Sequence, residues 1–375
     1  MRNARSRPTI TVGLLAAVLS AALLAAGCSN KSSNGSSSSS AASGATSSSS
    51  ATSTGAGGVI KPKDGGAVKV ALVPGGPHPY FQPWKTAGTA AKSAFGLGGM
   101  TFNETSGWDQ GKQNSLLDSL AAQGDNAFGV FGVSPADINS TFQSLKSKGF
   151  AVASLASCPA GSTDDADFCL STDVEVAAYK AAKTAIQAMG GKGVLVHLTG
   201  NNTDSNTQRR ETGVQKAVAE THGKVKLLQT ITDIDTDLQT AQKAVGDLLA
   251  AHGKQINGIV TTAYNPAVAA AEGVKKAGLP IKVIAIDDDP TILQGIKDGS
   301  VSATVVQNPY GQAYVGAWAL ALLQSKQCTM RQPGEIIDSG SFVVTKSNVD
   351  TYDQTRQAKT KALLKQFTTS VLSCG

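Results

Sequence analysis

From residue 67 onward the chain repeats one unit: a short apolar run bounded by Gly, Pro or Asn, then a stretch with helical spacing. Runs at 67–73, 100–104, 127–133 and 150–155 read as strands, because a strand covered on both faces of a parallel sheet is apolar throughout. Between them Leu116, Leu117 and Leu120 recur at i, i+1 and i+4, and Ile138, Phe142 and Leu145 at i, i+4 and i+7. Each set lies on one face of a helix. The rhythm restarts with runs at 193–198, 226–230, 258–262, 282–286 and 303–306, interleaved with helical stretches at 177–189, 213–220 and 236–251. Such alternation predicts an α/β fold with two parallel-sheet lobes.

The residues before this body have another purpose. Arg2, Arg5 and Arg7 precede an apolar stretch from 10 to 27 that ends in Ala25-Ala26-Gly27-Cys28. This reads as an export signal, 1–27, and resembles the bacterial lipoprotein signal, in which cleavage before Cys28 leaves that cysteine to carry lipid. The rival is an uncleaved membrane anchor, which would want about 20 apolar residues. From Ser29 to Gly58 the chain is almost entirely Ser, Ala, Gly, Thr and Asn, too polar to offset the entropy of folding. It is expected to be a tether, 28–60 with the lipidated cysteine, reaching on the order of 30 Å.

The net charge of +6 halves once the three leader arginines are set aside, and what remains is dispersed, which argues against a nucleic-acid surface. With Cys28 assigned to lipid, Cys158, Cys169, Cys328 and Cys374 remain, an even number outside a reducing compartment. Proximity pairs Cys158 with Cys169 and leaves Cys328 with Cys374. The alternative is a metal site, but no CxxC occurs and the histidines (78, 197, 222, 252) lack ligand spacing.

In open parallel sheets ligands sit beyond the carboxyl ends of the strands. Those exits read 74–81, 105–109, 134–137, 156–158, 199–210, 263–266, 287–290 and 307–310, and they are rich in amides, hydroxyls, acids and aromatics. No GxxxxGK[ST] loop is present, Gly75-Gly76 lacks dinucleotide-binding spacing, and there is no GxSxG elbow. Asp287, Asp288 and Asp289 suggest a metal cluster or catalytic carboxylates, but a strand ending in Asp before Asp-Pro-Thr commonly caps the next helix. Asp287 is expected to accept hydroxyl hydrogen bonds.

His78-Pro79-Tyr80-Phe81, Thr172-Asp173, Arg210-Glu211-Thr212-Gly213 opening a helix, Ile284-Ala285-Ile286-Asp287 and Gln307-Asn308-Pro309-Tyr310-Gly311-Gln312 follow one another in an order similar to the ribose-binding-like sugar-binding proteins of ABC importers. The resemblance spans about residues 67–345. It implies two Rossmann-like lobes joined by a three-crossing hinge, with 67–171 plus 308–335 in the N-terminal lobe and 172–307 plus 336–375 in the C-terminal lobe. It also implies closure on one sugar or polyol that is left unaltered, without cofactor or metal, by a monomer held at the outer face of the cell membrane by its lipid anchor and serving an ABC permease. Carried over, it puts Tyr80 and Phe81 against one sugar face, Ser134 near a hydroxyl, Arg210 and Asp287 as charged hydrogen-bond partners, and Gln307 at a hinge crossing, with His78 and Thr172 also among the ligand-binding positions. Tyr80 and Phe81 also suit helix-start packing, Arg210 a surface salt bridge with Arg209 solvated beside it, and Trp108 either a wall or packing. Asn265 lies at a strand exit, but Tyr264-Asn265-Pro266 breaks the family's Asn-Asp pattern.

One departure bears on the ligand. Many relatives carry Asp-Arg at the fourth strand's exit, where this chain has Ala156-Ser157-Cys158. The expectation is a solute-binding protein for a monosaccharide or polyol, the ligand differing from ribose. Two rivals belong to other classes: a ligand-sensing module for a membrane receptor, and an exported carbohydrate-active enzyme with paired carboxylates across the cleft.

Overall fold

The computed structural model describes residues 59–161 and 165–375. The expected leader, Cys28 and the Ser-rich segment through residue 58 lie outside the described residues. In the first lobe β1 (Lys69–Val73), α1 (Gln82–Phe95), β2 (Gly99–Phe102), α2 (Gln110–Ala122), β3 (Ala127–Val130), α3 (Ile138–Ser147), β4 (Ala151–Leu155) and β5 (Phe168–Ser171) alternate as the sequence predicts. The chain then passes to a second lobe made of α4 (Val174–Ala188), β6 (Gly193–Leu198), α5 (Ser205–Ala219), β7 (Val225–Ile231), α6 (Leu238–His252), β8 (Gly258–Thr261), α7 (Tyr264–Ala277), β9 (Lys282–Ile286), α8 (Pro290–Asp298) and β10 (Ala303–Val306). It returns through α9 (Pro309–Gln324), β11 (Cys328–Met330), β12 (Glu335–Asp338), β13 (Phe342–Val344), α10 (Tyr352–Gln366) and β14 (Leu372–Cys374).

Two six-stranded sheets result, in the orders β12-β5-β4-β3-β1-β2 and β13-β10-β9-β8-β6-β7, with only β13 antiparallel to its neighbour. β3, β4, β5, β8 and β10 are buried along their whole length, which is why they read as continuous apolar runs. Leu117 and Leu120 of α2 and Ile138, Phe142 and Leu145 of α3 form the predicted buried faces. Capping sets the helix starts: Asp109, Asp173, Asp204, Asp237 and Asp289 each accept a backbone N–H from the first turn that follows. In particular, α5 starts at Ser205, so Arg210 lies within it instead of opening it. Gly213 is there for another reason, since a Cβ would meet the Glu175 carbonyl oxygen of α4 at 2.2 Å.

Three short crossings join the lobes at 172–173, 307–308 and 339–341, and a fourth, 345–351, leads to α10. The tail departs from expectation here. Of the segment 336–375 assigned to the C-terminal lobe, β12 edges the first sheet and α10 lies along α9 of the first lobe. Phe367 packs against Phe168 and Trp318 there, because the apolar residues Leu363, Phe367, Val371 and Leu372 find their partners in the first lobe's core. The pairing of β14 with β11 is closed by a disulfide between Cys328 and Cys374, and Cys158 joins Cys169. The other end of α10 reaches the second lobe: Tyr352 and Arg356 both donate to Asp288, at 3.2 and 3.0 Å.

Candidate functional site

A cavity of about 220 Å³ lies between the lobes at the carboxyl ends of both sheets. On the first-lobe side it is lined by His78, Tyr80 and Phe81 after β1, Trp108 after β2, Phe131 and Val133 after β3, and Ala156 after β4. The second lobe supplies Asn201, Thr203, Asp204, Asn206 and Arg210 after β6, with Asp235 and Thr236 after β7. Tyr264, Asp287 and Gln307 follow β8, β9 and β10. The first-lobe wall is therefore mainly aromatic and aliphatic, and the second-lobe wall mainly polar.

The apolar wall is built by edge-on ring contacts. Phe81 lies 5.2 Å from Phe131 and 5.0 Å from buried Trp84, and Trp108 lies 6.0 Å from Phe131. The Gly75-Gly76 pair serves this wall: a Cβ on Gly76 would come within 2.7 Å of the Trp108 indole, so only glycine lets the ring lie along the β1 exit. His78 caps the turn that follows it, its Nδ1 accepting from the Tyr80 backbone N–H at 3.2 Å. Its Nε2 faces Asp235 Oδ2 across the cleft at 3.5 Å and has no hydrogen-bond partner.

The polar wall is held from behind. Asp287 accepts from Gln307 Nε2 at 2.9 Å, and its own carbonyl accepts from Thr304. Burial, with a further push from Asp288, raises its carboxyl to about 7, opposed by the Gln307 hydrogen bond, Arg210 and His78. Asp204, which caps α5, is also raised by burial and held down by Arg210. Asn206 and Arg210, one turn apart on α5, face the cleft together. Asn206 donates to the Ala156 carbonyl at 3.2 Å, a hydrogen bond between the lobes. The Nε of Arg210 is buried without a partner, as is Oδ1 of Asn201. His197 lies behind this wall, bonded to Thr262, and burial keeps it neutral by lowering its pKa to about 3.

Three non-glycine residues of the lining adopt left-handed backbone: Trp108 (φ 62°), Ala156 (φ 65°) and Asp287 (φ 62°). Ala156 and Asp287 sit directly after β4 and β9, and Trp108 just before the Asp109 cap of α2; each such conformation costs roughly 1–2 kcal/mol. The kinks turn those residues into the cleft.

Of the ten residues singled out from sequence, His78, Tyr80, Phe81, Trp108, Arg210, Asp287 and Gln307 line the cavity. The other three do not. Ser134 Oγ donates to Asp137 and closes the turn before α3. Thr172 lies at a crossing, where it meets Ser339 Oγ at 3.2 Å and accepts from Gln312 at 3.3 Å. Asn265 stands behind the lining, its backbone N–H holding Asp235 Oδ1 at 2.8 Å. Tyr80 carries a double duty, since its hydroxyl donates to Gln312 and so ties the cleft to the crossings; burial pushes its pKa upward. Arg209 is paired with Asp173 at 3.0 Å instead of being simply solvated.

Sequence reasoning missed Asp204, Asp235, Asn206 and Phe131. Asp235 had a usable signal, because the exit of β7 obeys the same rule as the others and carries Asp233-Ile234-Asp235. Among the described residues no cluster of His, Cys, Asp and Glu suits a metal ion, and no helix is long and apolar enough to cross a membrane.

Comparison with known proteins agrees with this architecture. A xylitol-binding protein of Mycolicibacterium smegmatis is 26% identical over 246 residues, covering 64% of this chain and 67% of that one. A solute-binding protein of an ABC transporter from Burkholderia graminis, solved with D-arabinose, superposes with a TM-score of 0.70 at 24% identity, over 77% of this chain and 99% of that one. One from Actinobacillus succinogenes with bound D-allose gives 0.68 at 21%, over 76% and 100%. Residues 70–327 match the family described as periplasmic binding protein domain, and the chain belongs to that family.

Proposed function

We propose that this protein captures a monosaccharide or polyol outside the cytoplasm by closure of its two lobes and delivers it to an ABC importer. The observation that carries the reading is the interlobe cavity, where an aromatic wall that includes His78 faces Arg210 and Asn201, each of the three with a buried polar atom still uncommitted. Aromatic faces suit sugar C–H groups, while a guanidinium donates and carboxylates accept from hydroxyls at fixed angles. The xylitol-binding relative and the arabinose and allose complexes point to the same ligand class.

Closure follows from differential affinity: a ligand held by both walls stabilises the closed state by what it gains there over the open one. Binding without turnover fits the placement of the lining carboxylates Asp204, Asp235 and Asp287 on one lobe, since glycoside cleavage wants an acid on each side of the bond. We further propose that Cys28 carries lipid, that 29–58 tethers the body to the outer face of the membrane, and that the protein acts as a monomer. Radiolabelled palmitate should enter the wild type and not Cys28→Ala.

The test of binding is a panel of aldoses, ketoses and polyols read by melting temperature and titration calorimetry. A true ligand at a hundredfold excess over its Kd stabilises by about 2.7 kcal/mol. Absence of any shift across the panel would overturn the reading.

A further inference from the structure

Resting on that reading, we infer that the ligand is a deoxy sugar or deoxy polyol, with its methyl or methylene end seated against the first lobe between Trp108, Phe131, Val133 and Ala156. The argument is an inventory of hydrogen-bonding groups. A buried hydroxyl without a partner is costly, so every hydroxyl enclosed here needs a donor or acceptor within reach.

The second lobe meets that need many times over. The first lobe does not. Phe131, Val133 and Ala156 have no polar side-chain atoms, and the indole N–H edge of Trp108 lies along Gly76. The Tyr80 hydroxyl is committed to Gln312.

The nearby backbone is committed too. Gln113, buried on α2, donates to the Phe131 carbonyl at 2.7 Å and accepts from the Val133 N–H at 3.0 Å. The Ala156 N–H donates to the Leu170 carbonyl, and its own carbonyl accepts from Ser171 and Asn206. The Gly75 carbonyl accepts from Ser106 and from the Trp108 N–H. Among the described lining residues of this side, His78 Nε2 is the buried side-chain atom left without a partner, and it lies opposite Asp235 at the polar edge of the wall; Ser157 Oγ, also buried and unpartnered, stands outside the lining. A hydroxyl turned toward Phe131, Val133 and the Ala156 methyl meets no side-chain partner, whereas a methyl or methylene end gains from the same surface.

Matched pairs test this: D-galactose with D-fucose, L-mannose with L-rhamnose, and D-ribose with 2-deoxy-D-ribose, alongside xylitol and D-arabinose, each titrated calorimetrically. The deoxy member of at least one pair is expected to bind about tenfold to a hundredfold more tightly than its parent. Val133→Asn, half-buried at the wall, gives a hydroxyl a partner and should reduce or reverse that preference. Tighter binding of parents, xylitol or arabinose than of every deoxy compound overturns the inference and leaves the proposed function standing. An unchanged preference in folded Val133→Asn overturns the placement at this wall. Failure of every compound to bind overturns the proposed function itself.

Discussion

The two lobes share one strand order and differ in what fills and staples them. The first packs Phe81, Trp84, Phe95, Phe128, Phe142, Phe168, Trp318 and Phe367 into its cores and holds both disulfides. The clusters of the second are built from Ala, Val, Ile and Leu, with five alanines of α4 letting α5 approach closely. The cleft shows the same division. Large rings that fill the first lobe's core continue into its apolar wall, Phe81 belonging to both, while the charged lining of the second stands on helix N-termini and strand exits. A cross-linked lobe with interlocking rings offers a surface of fixed shape, and the other offers groups of fixed charge. Closure brings shape and charge together on one guest.

The sharpest way to break this contrast is to remove the staple. Closing 46 residues, the Cys328–Cys374 bond is worth about 4 kcal/mol in the chain-entropy picture, and the Cys158–Cys169 bond, closing 11, about 3 kcal/mol. Guanidinium unfolding of Cys328→Ser/Cys374→Ser should show the larger loss. Hydrogen exchange should quicken in α9, α10 and β14 and stay unchanged in β6, β8 and β9. Equal loss in both lobes would mean that they unfold as one unit and that the staple serves both.

A loss of similar size belongs to the charged lobe alone. With its carboxyl raised to about 7 from an ordinary value near 4, Asp287 binds more protons in the native state than in the unfolded chain across that interval. Stability therefore falls as pH rises from about 4 to 7, by on the order of 4 kcal/mol, and is flat above. Affinity runs the other way, because a hydroxyl donating to the ionised carboxylate favours the deprotonated form; Kd should rise by at most about tenfold per pH unit below 7. Urea midpoints and calorimetry from pH 5 to 8 measure both, and Asp287→Asn should flatten both slopes. Slopes that persist in the variant would place the titration elsewhere.

The parallel-sheet rhythm was legible because strands buried on both faces are uninterrupted apolar runs, and looking where such strands end picks out seven residues that line the cavity. What was not legible depends on partners distant in sequence. β5, β12 and β13 are three or four residues long and carry no pattern of their own. The mainly polar α10 was assigned to the wrong lobe, since nothing in 352–366 announces that it lies on α9. Asp204 reads as a helix cap, which it is; only the fold shows that the same carboxylate also faces Arg210. Ser134 and Asn265 read as ligand groups because a polar residue that fixes a turn or steadies a neighbour is chemically identical to one that meets a ligand.

Arg210→Ala tests the charged wall at modest cost to the fold, because among the described residues no acid lies at salt-bridge distance from it and only its longer-range pull on Asp204 and Asp287 is lost. Hydrogen bonds from a charged donor contribute roughly 1.5–3 kcal/mol each, so Kd should rise about tenfold to a hundredfold while the melting temperature stays nearly constant. A variant that binds normally would remove Arg210 from the ligand's partners and weaken the assignment of charge to this lobe.

The smallest effect separates shape from strain at the apolar wall. Trp108 is 41% exposed and holds φ at 62°, so its side chain gains little from burial while its backbone bears a left-handed conformation. Trp108→Ala removes the ring and keeps the strain, whereas Trp108→Gly removes both. If the kink is maintained to aim the indole, both variants should lose affinity alike, by about tenfold, because both lose the same ring–ligand contact. Their melting curves should then part, with the glycine variant more stable by about 1 kcal/mol. Equal stability would mean that the loop relaxes out of the left-handed region once the ring is gone, making the kink a consequence of the indole's contacts with Gly75 and Gly76 and not a fixed feature of the β2 exit.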